Sequence, residues 1–316
     1  MSYQFSSTTE RPDPGPLAKL FAAFSAVMLF TVGLAIACNE RTPEPIIAGE
    51  TAVVETPAVA PRAASAPAPV TFSDGEIAFR EKRYEDAVAI FTAYTASQPE
   101  NAWGHYMLAL SAWRAGEPER AVTEFEQALA IDSTHVKSLL NLSRVLLEQG
   151  RAEEALEHVS AALELDESDD AYRVLGRAKS ELGDVEAAVE AYRQAIVLNE
   201  RDPWNLNNLG YTLIQDGRFD EAIGPLALAT EIDSTTAVFW NNLGMALERT
   251  GHRIQAVDAY RRAVGIDATY VKAQTNLTRV EGLAQDPAIL PVDFEVEVAK
   301  FREKIDLWKA GVTDER

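Results

Sequence analysis

The sequence has 316 residues, of which 47% are hydrophobic and 25% are charged, and its formal net charge is −20. That acidic balance argues against nucleic acid and anionic membrane surfaces as partners of the exterior as a whole. Because Cys38 is the only cysteine, an intrachain disulfide and a cysteine metal cluster are both excluded.

The N-terminal region divides into three segments. Residues 1–19 are polar, and residues 20–38 form an uncharged stretch of about the length that a helix needs to span a bilayer. The stretch ends in LAIAC, and small residues before Cys38 resemble a bacterial lipoprotein signal, which implies lipidation of this cysteine. Residues 39–70 are rich in Pro and Ala, a composition typical of an extended tether.

Three fates of the uncharged stretch stay open: a lipid anchor on Cys38, an uncleaved membrane helix over 20–38, or a cleaved signal. All three export the following domain if the cations stay inside. We therefore expect a membrane-anchored protein whose domain faces the periplasm or the exterior of a bacterial cell.

The central region repeats a pattern with a period of 33 or 34 residues, which is the signature of a repeat fold. Apolar residues recur at helical spacing, a glycine precedes the register alanine by five positions in five copies, and small residues recur where helices must approach closely. The register alanines are Ala87, Ala121, Ala155, Ala188, Ala222 and Ala256.

This spacing resembles the tetratricopeptide repeat, with its L-G pair, its G-x-x-x-x-A turn and a large residue four positions after that alanine. The resemblance implies an all-α, right-handed superhelical solenoid of six helix-turn-helix repeats over 71–270, with C-terminal capping helices. The first copy departs most, because Lys82 replaces the turn glycine and Tyr94 replaces a small alanine.

Two further helices are predicted after the repeats. Residues 271–283 repeat the first-helix pattern without a partner and predict a capping helix. Residues 292–310 predict an amphipathic helix whose apolar residues are spaced 4, 3, 4, 3. That stripe either packs on the solenoid as a second cap or mediates self-association or partner docking; it consists of Phe294, Val298, Phe301, Ile305 and Trp308.

The resemblance also implies a concave groove lined by the first helix of each repeat. Amides there could bind a peptide backbone, and we expect Asn208 and Asn242 to lie outside the helix-packing seam. Arginine and lysine make the groove cationic within an acidic protein, and aromatic residues add a composition typical of recognition. The groove residues are Asn141, Arg144, Arg173, Arg177, Trp204, Asn207, Asn208, Tyr211, Asn241, Asn242, Arg249, Lys272, Asn276 and Arg279.

No phosphate-binding loop is found in the sequence, and the four histidines lack a partner at metal-ligand spacing. We therefore expect no enzyme, no cofactor, no metal and no nucleic acid. The favoured function is a membrane-anchored adapter or scaffold that binds an extended segment of a partner protein. Two alternatives stay open: a pilotin-like assembly lipoprotein, and a structural subunit of a larger membrane complex.

Overall fold

The computed structural model describes residues 70–312, and every regular element in that range is an α-helix. The helices are α1 (Phe72–Arg80), α2 (Tyr84–Ser97), α3 (Ala102–Arg114), α4 (Pro118–Ile131), α5 (Val136–Glu148), α6 (Ala152–Leu165), α7 (Asp169–Glu181), α8 (Val185–Leu198), α9 (Pro203–Gln215), α10 (Phe219–Ile232), α11 (Ala237–Arg249), α12 (Arg253–Ile266), α13 (Val271–Val280) and α14 (Phe294–Lys309). The first twelve form six consecutive pairs, so the predicted repeats are confirmed.

The helix contacts explain how the pairs stack. Each odd-numbered helix from α1 to α11 packs against the next odd-numbered helix, whereas the backbones of successive even-numbered helices from α2 to α12 lie farther apart. Because the odd-numbered helices approach more closely, the stack curves with α1, α3, α5, α7, α9, α11 and α13 on its concave side. We call their solvent-facing surface the inner face and that of the even-numbered helices the outer face.

Backbone geometry sets the turn inside each pair. Gly116, Gly150, Gly183, Gly217 and Gly251 all adopt left-handed φ angles of 71° to 89°, which cost glycine little. Lys82 takes the same conformation in the first pair, with φ of 61°. The departure at Lys82 therefore leaves the helix pair intact.

Close helix crossings account for the recurring small residues. A Cβ atom added to Gly210 would lie 2.4 Å from Leu226 Cγ, and one added to Gly244 would lie 2.7 Å from the ring of Tyr260. The large residue four positions after the register alanine therefore fills the space above a glycine of the partner helix. A methyl group there would overpack the pair.

The last two helices behave differently from each other. Helix α13 packs beside α11 and α12 as the predicted cap, whereas α14 turns back and lies across α8 and α10 on the outer face. Its residues Val298, Phe301, Ile305 and Trp308 are buried there. Because this stripe is covered by its own chain, the self-association predicted for it requires α14 to leave this position.

The predictions for the N-terminal region concern residues that the structure does not describe. The uncharged stretch 20–38, Cys38 and the tether up to residue 69 all lie outside the described range. Within 70–312, no helix is long and apolar enough to cross a membrane.

Candidate binding surface on the inner face

Exposed aromatic side chains distinguish the inner face. Among residues 70–312, the large aromatic side chains classed as exposed are Trp103 (47%), Trp204 (45%) and Tyr211 (39%), and all three belong to odd-numbered helices. The other aromatic rings in this range are buried or half-buried. A solenoid offers its concave side as an extended binding surface, so these rings mark where a partner could be contacted.

Trp103 belongs to an aromatic cluster near the N-terminal end of the inner face. Its ring meets His135 edge-on at 4.6 Å and Tyr106 at 5.4 Å between centroids. The Nζ atom of Lys137 lies 5.2 Å from the Trp103 ring centroid, a distance suited to a cation–π contact. The cluster thus presents an aromatic face beside a positive charge.

Buried polar atoms support that cluster from below. The phenol oxygen of Tyr106 accepts a hydrogen bond from Asn141 Nδ2 at 3.3 Å, and burial raises the pKa of Tyr106, with Arg144 opposing the shift. His135 Nδ1 accepts from the backbone N–H of Ser138 and so caps α5. Burial lowers the pKa of His135, which favours the neutral imidazole in the folded state.

Five of the six predicted groove asparagines, all except Asn141, form a continuous hydrogen-bonded row. Asn276 Nδ2 donates to Asn241 Oδ1 at 2.9 Å, and Asn241 Nδ2 donates to Asn242 Oδ1 at 3.2 Å. Asn242 Nδ2 then donates to Asn207 Oδ1 at 2.9 Å, and Asn207 Nδ2 donates to Asn208 Oδ1 at 3.3 Å. The row links α13, α11 and α9 through their side chains.

This row changes the interpretation of the amides. Asn207, Asn241 and Asn242 are buried, at 4%, 2% and 5% exposure, and their polar atoms bond to neighbouring repeats. The expectation that Asn242 lies outside the helix-packing seam is therefore wrong, because the side chain joins α11 to α9. Asn208 and Asn276, at the two ends of the row, remain half-buried and can still reach a ligand.

Most of the predicted cations are held in ion pairs. Arg144 and Arg173 share the carboxylate of Asp170, Arg177 Nε lies 2.9 Å from Glu181, and Arg279 pairs with Glu248. These carboxylates offset the positive charge that the cations were predicted to give the groove.

Two of the predicted cations, Arg249 and Lys272, and also Lys137 have no carboxylate partner among the described residues. Lys137 lies over Trp103 and Arg249 lies over the Phe219 ring at 4.9 Å. Lys272 is exposed, and no ion pair or hydrogen bond is found for its side chain within 70–312. Positive charge is thus available at both ends of the inner face, while the middle is neutralised.

Sequence reasoning missed a second feature, the apolar outer surface of α10. Gly224 stands where the repeat places Glu157, Glu190 and Asp258 in other even-numbered helices. Ala227 stands where the repeat places Glu126, Arg193 and Arg261. These departures were visible in the sequence, and they match the place where α14 packs.

No group of three or more His, Cys, Asp or Glu side chains within 70–312 is arranged to hold a metal ion. The inner face instead combines exposed rings, partly free amides and isolated cations. Such a surface can bind a polypeptide by stacking, hydrogen bonding and charge.

Family models match three parts of the described chain. A tetratricopeptide repeat model matches residues 106–170, a TPR repeat model matches 176–217, and a further tetratricopeptide repeat model matches 237–270. Tetratricopeptide repeats are therefore recognised in the chain, and this repeat is typical of non-enzymatic scaffolds for protein–protein interaction.

Several curated relatives match part of the chain, two of which are as follows. The small glutamine-rich tetratricopeptide repeat-containing protein 2 of Mycosarcoma maydis is 37% identical over 84 residues, covering 27% of this chain and 24% of the relative. The peroxisomal targeting signal receptor of Kluyveromyces lactis is 22% identical over 203 residues, covering 62% of this chain and 35% of the relative. The chain thus spans about a quarter to a third of the length of these relatives.

A solved structure supports the fold. The pilF protein of Pseudomonas aeruginosa has 20% sequence identity and a TM-score of 0.55, covering 66% of this chain and 95% of that protein. At this identity the likeness concerns the arrangement of the helices.

Proposed function

We propose that this chain is a membrane-anchored adapter that binds an extended segment of a partner protein along its inner face. The observation that carries the proposal is the location of Trp103, Trp204 and Tyr211, the exposed large aromatics of the described chain, on the inner face. Aromatic side chains are enriched among the residues that contribute most to protein–protein binding. One relative is, by its name, a receptor for a targeting signal, which agrees with a recognition role.

The charge pattern suggests what the segment contains. Lys137 and Arg249 lie over aromatic rings and Lys272 is exposed without a partner, so acidic groups on the segment would gain ion pairs. The asparagine row contributes to holding the helices in place, and only its two end members are open to the ligand. Side chains of the segment, more than its backbone, then determine the affinity.

The proposal places the repeats outside the cytoplasm on an N-terminal anchor. It rests on the uncharged stretch 20–38 and on small residues before Cys38. Labelling with a fatty acid and mass spectrometry of the mature N-terminus should find a lipidated Cys38. An intact Met1 would instead assign the anchor to an uncleaved helix.

The inner face is tested with a photo-crosslinking amino acid in place of Tyr211, which should capture the partner in membranes. The captured segment, once identified, is titrated against the wild type and the Trp103→Ala, Trp204→Ala double variant. Loss of two anchoring rings should weaken binding about tenfold or more.

A matched control comes from the outer side of the repeats. Ile254 on α12 is 63% exposed, and Ile254→Ala removes a comparable exposed apolar group without touching the inner face. This variant should bind the segment as the wild type does. If both variants weakened binding of the segment equally, or if neither weakened it, the binding surface would not be the inner face.

A further inference from the structure

Helix α14 is not needed to cover the end of the solenoid. The exposed positions of α13 are polar apart from Val271, so this capping helix already presents a hydrophilic surface. A terminal repeat with a polar outer face is sufficient to end a solenoid. The contacts of α14 with α8 and α10 therefore call for another explanation.

The outer face is shaped for a helix at this one place. Gly224 replaces the acidic residue that α6, α8 and α12 carry at the same register, and its added Cβ would lie 3.1 Å from Phe301 Cβ. Ala227 and Leu228 continue the apolar surface along α10, and both are buried. We call this surface, between the exposed sides of α8 and α10, the outer channel.

The outer channel fits α14 without locking it. Two of the ion pairs that flank the helix, Arg302 with Glu231 and Lys309 with Glu200, lie at exposed positions, where such pairs contribute little. Trp308 Nε1 and Arg193 Nε are buried without a hydrogen-bond partner, which lowers the stability of the docked state.

Clefts also remain on both sides of α14. One of about 850 Å³ lies between α8, α10 and α14, and another of about 500 Å³ lies beside Trp240 and Phe294. The helix therefore leaves open space in the channel along both of its sides.

The segment that connects α13 to α14 permits release. It comprises residues 281–293, and Gly282 has φ of 89°. Polar contacts with α12 hold it: Arg261 pairs with Glu281, and Arg253 donates to Ala284 O. The N–H of Ile254 donates to Gln285, and Gln255 bonds both backbone polar groups of Val292. All of these bonds must break before α14 is released. Thirteen residues, once extended, span roughly 43 Å, so a released α14 can reach another molecule.

We propose that the outer channel is an interaction surface for α14 of a second copy of this chain, so that two copies associate by exchanging their C-terminal helices. A second α14 reproduces the contacts of Val298, Phe301, Ile305 and Trp308 residue by residue, and a reciprocal exchange closes a symmetric dimer. The connecting segment keeps the chain's own α14 near the channel at an effective concentration of the order of millimolar. This helix competes with the α14 of a second copy, so the monomer dominates at low protein concentration and the dimer forms as the concentration rises.

A complementation experiment with two full-length variants tests the exchange. The receiver carries Phe301→Glu, which prevents its own α14 from docking and leaves its channel empty. The donor carries Gly224→Glu, which blocks the channel and leaves α14 intact. Glutamate stands at the same register in α6 and α8, so the helical repeat accepts it.

Both variants are purified in detergent with a reducing agent, which removes any dimer linked through Cys38. Light scattering after size exclusion should show each variant alone as a monomer and the equimolar mixture as a one-to-one complex. We expect association in the mixture to be at least about tenfold tighter than in either variant alone. Circular dichroism checks that each variant keeps its helices.

Two results would overturn the proposal. The first is an absence of complex in the mixture while both variants remain helical, which would limit the channel to its own α14. The second is self-association of a double variant, Gly224→Glu with Phe301→Glu, that is as tight as the complex in the mixture, because such contact cannot use the channel. Neither result bears on the inner face, whose partner titration is a separate measurement.

Discussion

The inner and outer faces of the repeats depart from the repeat pattern in opposite ways. On the outer face, Gly224 and Ala227 replace charged residues, and α14 of the same chain covers the apolar surface that results. On the inner face, Trp103 and Trp204 are left exposed, while most of the predicted polar groove residues bond to other side chains of the same chain. The difference suggests that the apolar surface of the outer face is covered by the chain itself, whereas the exposed rings of the inner face are available to contact another protein.

Two tryptophans provide the largest test of this difference. Trp308 on α14 is buried in the outer channel, and Trp204 on the inner face is 45% exposed. Trp308→Ala should cost about 3 to 5 kcal/mol of local stability through lost burial, whereas Trp204→Ala should cost less than about 1 kcal/mol.

Hydrogen exchange, read helix by helix, is the measurement. Trp308→Ala should remove protection from the amides of α14 and leave α9 unchanged. If Trp204→Ala destabilised the repeats as much as Trp308→Ala did, the inner ring would be a structural contact and the contrast between the faces would fail.

The sequence predicted the helix pairs because their determinants are local. The left-handed turns need glycine at Gly116 and Gly150, and the helix crossings need small residues such as Gly210 and Gly244. Both recur with the period and are visible without a structure. Lys82 shows the tolerance of this rule, because its backbone adopts the glycine conformation.

The sites were less predictable because they depend on pairs of residues far apart in sequence. The bond from Asn242 to Asn207 joins residues 35 positions apart, and the ion pair between Arg144 and Asp170 joins residues 26 apart. Each partner alone reads as a free group at the surface. Comparing Gly224 with the same register in other repeats would have revealed the outer channel.

The asparagine row offers a smaller test within the inner face. Asn242 is buried, donates to Asn207 and accepts from Asn241, so Asn242→Ala leaves the buried oxygen of Asn207 unpaired and leaves Asn241 Nδ2 with Met245 Sδ as its acceptor. Asn208 is half-buried and accepts one bond at the end of the row. We expect Asn242→Ala to cost about 1 kcal/mol or more and Asn208→Ala to cost clearly less.

Urea unfolding followed by circular dichroism distinguishes the two variants. The variant Asn208→Ala should instead weaken the binding of a captured segment, if that amide reaches the ligand. Equal stability of the two variants would mean that the row does not hold α11 against α9. The asparagine amides would then again be interpreted as groups available to bind a ligand.

The smallest expected effect concerns pH and His135, which lies beneath Trp103. Burial lowers the pKa of His135, Lys137 lowers it further, and Asp132 opposes the shift. Because the unfolded chain binds this proton more readily than the folded chain, the contribution is fully present above the unfolded pKa of about 6.5. It is lost as pH falls from there through the lower folded pKa.

In His135→Asn, which keeps a side chain able to cap α5, the decline of the melting temperature between about pH 7.5 and 5 should be shallower than in the wild type. His158, whose pKa burial also lowers, should preserve part of the decline. If the melting temperature fell with pH equally in the variant and the wild type, water would reach His135 well enough for it to protonate freely. The Trp103 ring would then not pack on a desolvated side chain.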